Sequence, residues 1–310
     1  MKRTLSAIGA ILGIALSGGT AMAQDHDDPL TRPIAPEHAR RWLAPTPPTR
    51  IHGNSYFVGF GGVSVVLIDT GAGLILIDGA VPQAAREVEA NIRRLGFRIE
   101  DVRYILSTEP HWDHAGGIAA LARDSGARVI ASAPAARVFR TGRIGGDDPQ
   151  AAELVPFPAV ANVRAMADGE RLRLGNTVVT ARATPGHTAG SMSWTWRSCD
   201  GGQCYHVVFG SSLNAVSADG YRFSDPAHRT VVAAFRRSFA IMRALPCDIL
   251  ISAHPEQSGG DERFRRVQAG ERPNPFVDAN ACRAYADQTE RRLEMRLATE
   301  AAEAAAPPAR

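Results

Sequence analysis

A short segment in the first half of the chain carries four side chains that can bind a metal ion. The segment runs from Ser107 to Gly117, and the four side chains are those of Glu109, His111, Asp113 and His114. Zinc prefers imidazole nitrogen and carboxylate oxygen as ligands, and a catalytic zinc site keeps one position open for water. Burying two carboxylates and two imidazoles so close together without a cation would be costly. The segment therefore predicts a zinc site.

Two distant histidines are further candidates for the same site. His187 lies between Gly186 and Gly190, directly after a predicted strand, and His254 directly follows another predicted strand. Loops at strand ends are where functional groups gather on a rigid scaffold. The other histidines lack such contexts and are interpreted as surface or core residues: His26, His38, His52, His206 and His228.

The elements that would position these residues alternate between strands and helices. Strands are predicted at 63–68, 74–78, 102–107, 128–132, 171–174, 177–183, 191–197, 205–210 and 249–252, and helices at 82–95, 116–125, 230–244 and 282–303. Both halves are strand-rich and then helical, which predicts sheets packed inside helices, in an α+β or α/β layered domain. Residues 141–158 are rich in Gly, Asp and Pro and are predicted to form a loop.

The ligand segment itself is predicted to be a loop that leaves a strand end. Pro110 opposes a continuous helix through it. In an extended loop, alternating side chains at Glu109, His111 and Asp113 would all point into one cavity. The glycines at 116 and 117 would then let the backbone turn into the next helix.

The N-terminus has the three parts of a secretory signal peptide, with cleavage predicted after Ala23. The apolar run from Leu5 to Leu16 is shorter than the roughly 20 residues of a spanning helix, which opposes an uncleaved membrane anchor. Residues 24–310 are then predicted to be a single exported domain, soluble after processing, with an N-terminal arm at 24–48 and a frayed C-terminal tail. The formal net charge of +3 loses two units with Lys2 and Arg3, so no nucleic acid or anionic membrane is expected as a partner.

The chain has four cysteines, at positions 199, 204, 247 and 282. An even number in an exported chain suggests disulfides, and three pairings are possible. Cys199 and Cys204 flank a polar, glycine-rich turn and could close a local loop, which would leave Cys247 with Cys282. A thiolate zinc site is the alternative, but the cysteines lack the paired C-x-x-C spacing typical of one.

In the ligand segment, and at His187 and His254, the chain resembles the metallo-β-lactamase superfamily. The signature of that superfamily is H-x-H-x-D-H followed by two distant histidines, on an αββα sandwich. Within the superfamily the chain is most similar to subclass B3. This resemblance covers nearly all of the mature chain, from residues 51–59 to residues 282–287, and includes the segment 186–194. The resemblance implies an α+β fold with two mixed sheets flanked by helices, a monomer, and the disulfides Cys199–Cys204 and Cys247–Cys282. Ser212 stands where other subclasses carry a zinc-ligating cysteine.

The chain departs from the family pattern at the first ligand, where Glu109 replaces the usual histidine. The resemblance implies two zinc ions per chain, the first held by Glu109, His111 and His187 and the second by Asp113, His114 and His254. Glutamate can ligate zinc, so the departure need not abolish the site. Because Glu109 lowers the positive charge of the site by one unit, we expect a weaker Lewis acid and a weaker attraction for a substrate carboxylate.

The resemblance also implies a function, which is the zinc-dependent hydrolysis of β-lactam amide bonds in the periplasm. The substrates would be penicillins, cephalosporins and carbapenems, and the activity would confer antibiotic resistance. Water activated by zinc would be the nucleophile, and Asp113 would orient it as the catalytic residue. Ser212 and Asn214 would hold the substrate carboxylate or a zinc-bound water. Tyr221 is a candidate for the same pocket, against the alternative that it packs in a loop.

Two other functions remain open from the sequence. The first is another hydrolase on the same fold, such as a lactonase or a thioester hydrolase, because a pocket can change substrate class without changing the ligands. The second is an exported zinc-binding protein without catalysis, in which Glu109 makes the site degenerate. Export, the cysteines and Ser212 favour the β-lactamase interpretation.

Overall fold

The computed structural model describes residues 28–305 of the chain. The predicted signal peptide, the first residues of the predicted arm and the last five residues of the tail lie outside the described residues. Among the helices of this part of the chain, none is both long and apolar enough to span a bilayer.

Seven strands form the first sheet, in chain order from one edge to the other. They are β1 (Thr49–His52), β2 (Ser55–Phe57), β3 (Val66–Asp69), β4 (Leu74–Ile77), β5 (Val102–Leu106), β6 (Arg128–Ala131) and β7 (Val163–Ala165). Strands β1 to β4 are antiparallel, and β4 to β7 are parallel. The strands predicted at 63–68 and 74–78 form a hairpin, in which Leu67 of β3 pairs with Leu76 of β4. The sheet is therefore mixed.

Five strands form the second sheet, in the order β12-β11-β10-β9-β8. They are β8 (Arg171–Leu174), β9 (Thr177–Ala183), β10 (Met192–Asp200), β11 (Gln203–Gly210) and β12 (Ile249–Ser252). Only the β11–β12 pair is parallel among these five strands, and the residues between the two include a helix, as a parallel crossover requires. This sheet is also mixed.

Eight α-helices accompany the sheets in the described part of the chain. They are α1 (Pro36–Trp42), α2 (Ala85–Arg94), α3 (Trp112–Ala115), α4 (Ile118–Ser125), α5 (Ala133–Phe139), α6 (Arg229–Ala244), α7 (Gly260–Gln268) and α8 (Ala281–Ala305). Helices α2, α4, α6 and α8 match the four predicted helices to within a few residues. Helices α1, α3, α5 and α7 and strands β1, β2 and β7 were not predicted, because each is short or carries few buried apolar residues to produce a pattern.

Three apolar layers hold the sheets and helices together. Between the sheets, Phe57 and Ile77 of the first sheet belong to the same buried cluster as Trp194 and Phe209 of the second. A second cluster packs the outer face of the first sheet against α2 and α4, and a third packs the second sheet against α6 and α8. The α+β fold, an αββα sandwich, is confirmed.

Two disulfides reinforce the second sheet and its helices. Cys247, just before β12, is bonded to Cys282 in the first turn of α8. Cys199 and Cys204 close the hairpin of β10 and β11, where they are also cross-strand neighbours. These are the pairings that the family resemblance implies.

Candidate metal centre

The ligand segment follows directly from the end of β5 in the first sheet. The amide of Ser107 still bonds to the carbonyl of Ile130 on β6, over 2.9 Å, the chain bends at Thr108, and the backbone is extended at His111. The four-residue helix α3 then begins at Trp112. The predicted alternation is therefore wrong beyond His111, because a helical turn carries Asp113 and His114 and directs them together to a second group.

Close backbone packing fixes the glycines after α3. A Cβ atom at Gly117 would lie 2.2 Å from the carbonyl oxygen of Gly79, and one at Gly116 would lie 2.3 Å from that of Trp112. These contacts are shorter than any side chain tolerates. The two glycines thus let the ligand segment lie against the residues that follow β4, which include Asp78.

Glu109, His111 and His187 form the first of two donor groups. One potential ligand atom of each lies within 4.8 Å of the others, and all three side chains are buried. Oε2 of Glu109 accepts a hydrogen bond from the amide of Ser212, over 2.8 Å. Oε1 of Glu109 has no hydrogen-bond partner among the described residues and lies 3.5 Å from Nε2 of His187.

Asp113, His114 and His254 form the second group, with the same 4.8 Å limit on their ligand atoms. The Nε2 atoms of His114 and His254 face each other at 3.1 Å. Oδ2 of Asp113 lies 3.3 Å from the first of these nitrogens and 3.4 Å from the second. Three donor atoms thus converge on one point.

Each of the four histidines has one ring nitrogen beside an oxygen outside the two groups. The pairs are Nδ1 of His187 with the carbonyl of Asn214 (2.9 Å), Nδ1 of His254 with the carbonyl of Gly62 (2.7 Å), Nε2 of His111 with Oδ2 of Asp148 (3.0 Å), and Nδ1 of His114 with Oδ2 of Asp78 (3.5 Å). Metal-ligating histidines are usually oriented by such an acceptor on the second nitrogen. The opposite nitrogen of each ring is then the one available to a metal, although Nε2 of His187 also lies 3.4 Å from the side-chain nitrogen of Gln150.

The two carboxylates among these partners, Asp78 and Asp148, were not among the predicted site residues. Asp78 follows β4 at a positive φ of 63° and accepts hydrogen bonds from the amide and hydroxyl of Thr108, over 2.7 and 2.6 Å. Its position at a strand end was a usable signal. Asp148 lies in the loop 141–158, and nothing in the sequence separates it from the neighbouring Asp147.

Charge is concentrated in this buried site. Burial opposes ionisation of Glu109, but His114, His187 and His111 outweigh it and lower the pKa of its carboxyl to about 2. The pKa of Asp113 is likewise lowered against burial, chiefly by His114. The same attraction raises the pKa of His114 well above its usual range, although burial acts the other way. Both carboxylates are therefore ionised at neutral pH.

The donor atoms of both groups fit divalent cations. A buried carboxylate oxygen without a partner is costly in a folded protein, and Oε1 of Glu109 is such an atom. Because Nδ1 of His254 donates to a carbonyl, its neutral ring presents a lone pair at Nε2, directly opposite His114. Imidazole and carboxylate are the donors that zinc binds.

A cavity of about 580 Å³ opens onto both groups. Its lining includes His111, Asp113, His187 and His254 as well as Asn214 and Trp42. Trp42, at the end of α1, packs against Trp112 with ring centroids 4.9 Å apart. The predicted arm therefore supplies one wall of the cavity.

The three predicted substrate-binding residues have different positions. Asn214 lines the cavity, and its Oδ1 is buried without a partner among the described residues. Ser212 is fully buried behind Glu109 and is not part of the lining. Tyr221 is not part of it either, since its ring stacks on His228 at 3.9 Å and meets Phe223 edge-on.

Comparisons with known proteins agree with this geometry. Residues 58–254 match the family model described as the Metallo-beta-lactamase superfamily. A subclass B3 metallo-β-lactamase characterised as having an active-site glutamic acid is 54% identical, with a TM-score of 0.82 over 88% of this chain and 98% of that one. The metallo-β-lactamase SMB-1 bound to 2-mercaptoethanesulfonate is 50% identical, with a TM-score of 0.80 over 84% of this chain and 99% of that one.

A curated relative outside that subclass is the hydroxyacylglutathione hydrolase of Cereibacter sphaeroides, which is 30% identical over 193 residues. That match spans 62% of this chain and 62% of the relative's length. The subclass B3 structures are more similar to this chain and are covered almost completely. The chain belongs to the metallo-β-lactamase superfamily and, within it, to the hydrolases of subclass B3.

Proposed function

We propose that this protein is a zinc-dependent β-lactamase that opens the amide bond of penicillins, cephalosporins and carbapenems. The observation that carries the proposal is that two buried donor groups face a single cavity in a chain with the subclass B3 fold. A cavity of about 580 Å³ is within the range that holds drug-sized molecules.

The two donor groups are the proposed zinc ligands. Glu109, His111 and His187 would hold one ion, and Asp113, His114 and His254 would hold the other. When bound, the ions supply Lewis-acid polarisation of the lactam carbonyl and increase the acidity of water. The similarity to an enzyme characterised as having an active-site glutamic acid supports a working site with Glu109 among its ligands.

The residues of the chain have separate roles in the proposed reaction. The carboxylate of Asp113 borders the cavity, where it accepts a hydrogen bond from the attacking water and orients it. The water oxygen bonds to the lactam carbonyl carbon, the carbon–nitrogen bond breaks, and the nitrogen takes up the proton that the water loses. Trp42 and Leu154 are part of the cavity wall and offer apolar surface to a substrate.

Asn214 is the best placed of the proposed substrate-binding residues. Its side chain lines the cavity, and its carbonyl fixes the ring of His187. The amide group of Asn214 can donate a hydrogen bond to a substrate carboxylate. Ser212 acts on the site through its backbone amide, which holds Glu109. Tyr221 has the surroundings of a packing residue, so we assign it no contact with substrate.

We also propose that the protein acts in the periplasm as a monomer and confers antibiotic resistance. The two disulfides and the absence of free cysteines in the described part of the chain support an oxidising compartment.

The test is hydrolysis of one carbapenem and one penicillin by the purified protein, with and without a metal chelator. We expect turnover of both that the chelator abolishes and that added Zn²⁺ restores. A protein that binds two zinc ions but opens neither ring would contradict the proposal.

A thioester hydrolase is the second candidate function. It is favoured by the similarity to hydroxyacylglutathione hydrolase. The residues of this chain that align with that enzyme overlap the region 58–254, which matches the superfamily model. A panel containing a hydroxyacyl-glutathione and a lactone alongside the β-lactams would separate the candidates. A larger kcat/KM for the thioester than for any β-lactam would favour this second function.

A further inference from the structure

The loop 141–158 reaches into the metal centre with Asp148, and also with Gln150, whose side-chain nitrogen lies 3.4 Å from Nε2 of His187. Its carboxylate is buried, and Oδ2 lies 3.0 Å from Nε2 of His111. The function proposed above uses His111 as a ligand and leaves Asp148 without a role. Of the other three histidines, His187 and His254 each have Nδ1 beside a backbone carbonyl, and Nδ1 of His114 lies 3.5 Å from Oδ2 of Asp78, directly after β4. Nε2 of His111 instead faces a carboxylate of the loop 141–158.

The contact fixes which nitrogen of His111 carries its proton. Oδ2 of Asp148 and Nε2 of His111 are within hydrogen-bond distance, 3.0 Å apart. A carboxylate oxygen accepts hydrogen bonds, so Nε2 of His111 is the donor. In the neutral ring Nδ1 then has no proton and can bind a metal.

Asp148 is itself held firmly in position. Its Oδ1 accepts a hydrogen bond from the amide of Gln150, over 2.9 Å, so both carboxylate oxygens are used. The carbonyl of Pro149 accepts one from the amide of Ala218, also over 2.9 Å, which ties the loop to the segment that contains Asn214. A side chain fixed in this way can impose an orientation on its partner.

We propose that Asp148 is a positioning residue for the first metal group: it holds His111 as the Nε2–H tautomer and so presents Nδ1 to the metal. The inference rests on the proposed assignment of His111 as a ligand, and it is independent of which substrate the enzyme hydrolyses. It makes the metal affinity of this group depend on the loop 141–158. The second group, oriented by Gly62 and Asp78, has no such dependence.

The Asp148→Asn variant distinguishes this role from simple packing. If the amide oxygen of the asparagine keeps the bond to Gln150, its NH₂ group faces Nε2 of His111 as a donor. The ring must then carry its proton on Nδ1, which removes the lone pair from the metal. If the side-chain amide of the asparagine takes the opposite orientation, the backbone amide of Gln150 loses its hydrogen-bond acceptor instead. The Asp147→Asn variant is the matched control, because it makes the same charge change at the exposed neighbouring residue.

The first experiment measures the tautomer directly and needs neither metal nor substrate. Imidazole ¹⁵N chemical shifts of the neutral His111 ring are recorded by NMR in the metal-free full chain. The expected result is a proton on Nε2 in the wild type and in Asp147→Asn. A proton on Nδ1 in the wild type would overturn the proposal.

The second experiment measures Zn²⁺ affinity by competition with a chelating dye. The background variant His254→Ala leaves only the first group complete, and His187→Ala leaves only the second. We expect Asp148→Asn to weaken the first group by about 10- to 100-fold, the usual effect of removing an orienting partner. The second group and the Asp147→Asn control should change less than about twofold.

Asp148→Ala provides a further variant if the asparagine protein does not fold. It removes the orienting bond without introducing a donor, so the first group should still weaken by about 10-fold. The role would be overturned if both groups lost the same factor in Zn²⁺ affinity. It would also be overturned if every variant that folds lost less than about fivefold in the Zn²⁺ affinity of the first group. None of these readouts depends on β-lactam turnover, so failure of the proposed function would be seen separately.

Discussion

The amide of Ser212 donates a hydrogen bond to Oε2 of Glu109 over 2.8 Å, which divides the two oxygens of this carboxylate between two tasks. Oε2 is held by the backbone that follows β11, and Oε1 faces His114 and His187. A glutamate can thus stand at the position of the usual histidine and still be oriented by a second contact. The carboxylate also brings a negative charge, which a histidine would not.

Glu109→Gln should weaken the first metal group although it preserves size and shape. The amide oxygen of the glutamine would accept the bond from Ser212, which turns the NH₂ group toward the metal, where it cannot act as a ligand. We expect Zn²⁺ affinity of this group to fall by at least about 10-fold, because the substitution removes a ligand atom rather than an orienting partner. Glu256→Gln, an exposed position at the rim of the cavity, is the control. Unchanged affinity in Glu109→Gln would show that Glu109 is not a ligand.

Glu109→His should keep metal binding and alter its zinc dependence. Imidazole is a good zinc ligand, and the substitution adds one unit of positive charge to the site. We expect the zinc concentration that gives half-maximal carbapenem hydrolysis to change by severalfold. If both zinc content and zinc dependence match the wild type, the assignment of Glu109 is wrong.

His254→Ala should reduce the metal content of the protein from two ions to one. Its Nε2 is one of three donor atoms in the second group, and alanine leaves Asp113 and His114 with too few ligands. Elemental analysis after dialysis against a low zinc concentration measures this. His206→Ala is the control, since His206 is exposed and contacts only Asp248 through its ring. Two ions in His254→Ala would contradict the second group.

Removing metal should lower the thermal stability of the protein. A ligand that binds only the folded state at 100 times its Kd contributes about 2.7 kcal/mol per site. For a domain of this size that corresponds to a fall in Tm of roughly 5 °C or more per site. Thermal unfolding with a chelator and after adding Zn²⁺ back tests this. An unchanged Tm would mean that the folded state does not bind zinc in preference to the unfolded state.

The two disulfides should contribute unequally to stability. In the loop-entropy description, closing the 35-residue separation of Cys247 and Cys282 is worth about 4 kcal/mol, and closing the five-residue separation of Cys199 and Cys204 about 2 kcal/mol. Urea unfolding of the two double-serine variants compares them. A larger loss for the Cys199–Cys204 pair would contradict this description.

Glu300 should make stability fall in acid. Burial opposes its ionisation, but hydrogen bonds from the amide of Ser224 and from Arg296 more than compensate and lower the pKa of its carboxyl. A carboxyl with a lowered folded-state pKa stabilises the fold above its unfolded pKa of about 4.3, and this contribution is lost as the pH falls through the folded-state value.

Glu300→Gln should therefore destabilise the protein at neutral pH, and the difference from wild type should shrink in acid. Urea unfolding at neutral pH and below about pH 4 measures the difference. Glu303→Gln, an exposed glutamate beside Arg222, is the control. A difference that stays constant with pH would exclude Glu300 as its source.

Much of the fold could be predicted because its central strands and four larger helices carry strong apolar patterns. The strand run Leu74–Ile77 is fully buried, and α2 has a clear apolar face at Val88 and Ile92. Helix α1 could not be predicted, because it buries only Ala39 and leaves no periodic signal. Its importance comes from Trp42, whose contact with Trp112 is tertiary.

The site was predictable where residue types cluster, and not where the fold brings single residues together. The segment that contains His111 and Asp113 indicates metal binding by composition alone, whereas the assignment of His187 and His254 drew on the family resemblance. The division into two groups depends on the helical turn at α3, which the proline at 110 concealed. Asp148 was missed because an aspartate in a loop has no signal of its own.

The donor groups draw on both sheets of the sandwich, and this has a mechanical consequence. Glu109 and Asp113 follow β5 in the first sheet, whereas His187 lies just before β10 and His254 just after β12 in the second. An ion held by either group would therefore cross-link the two sheets at the open edge of their shared core. Sliding of one sheet over the other would then have to break coordination bonds as well as apolar contacts, so metal occupancy would set the shear stiffness of the whole sandwich.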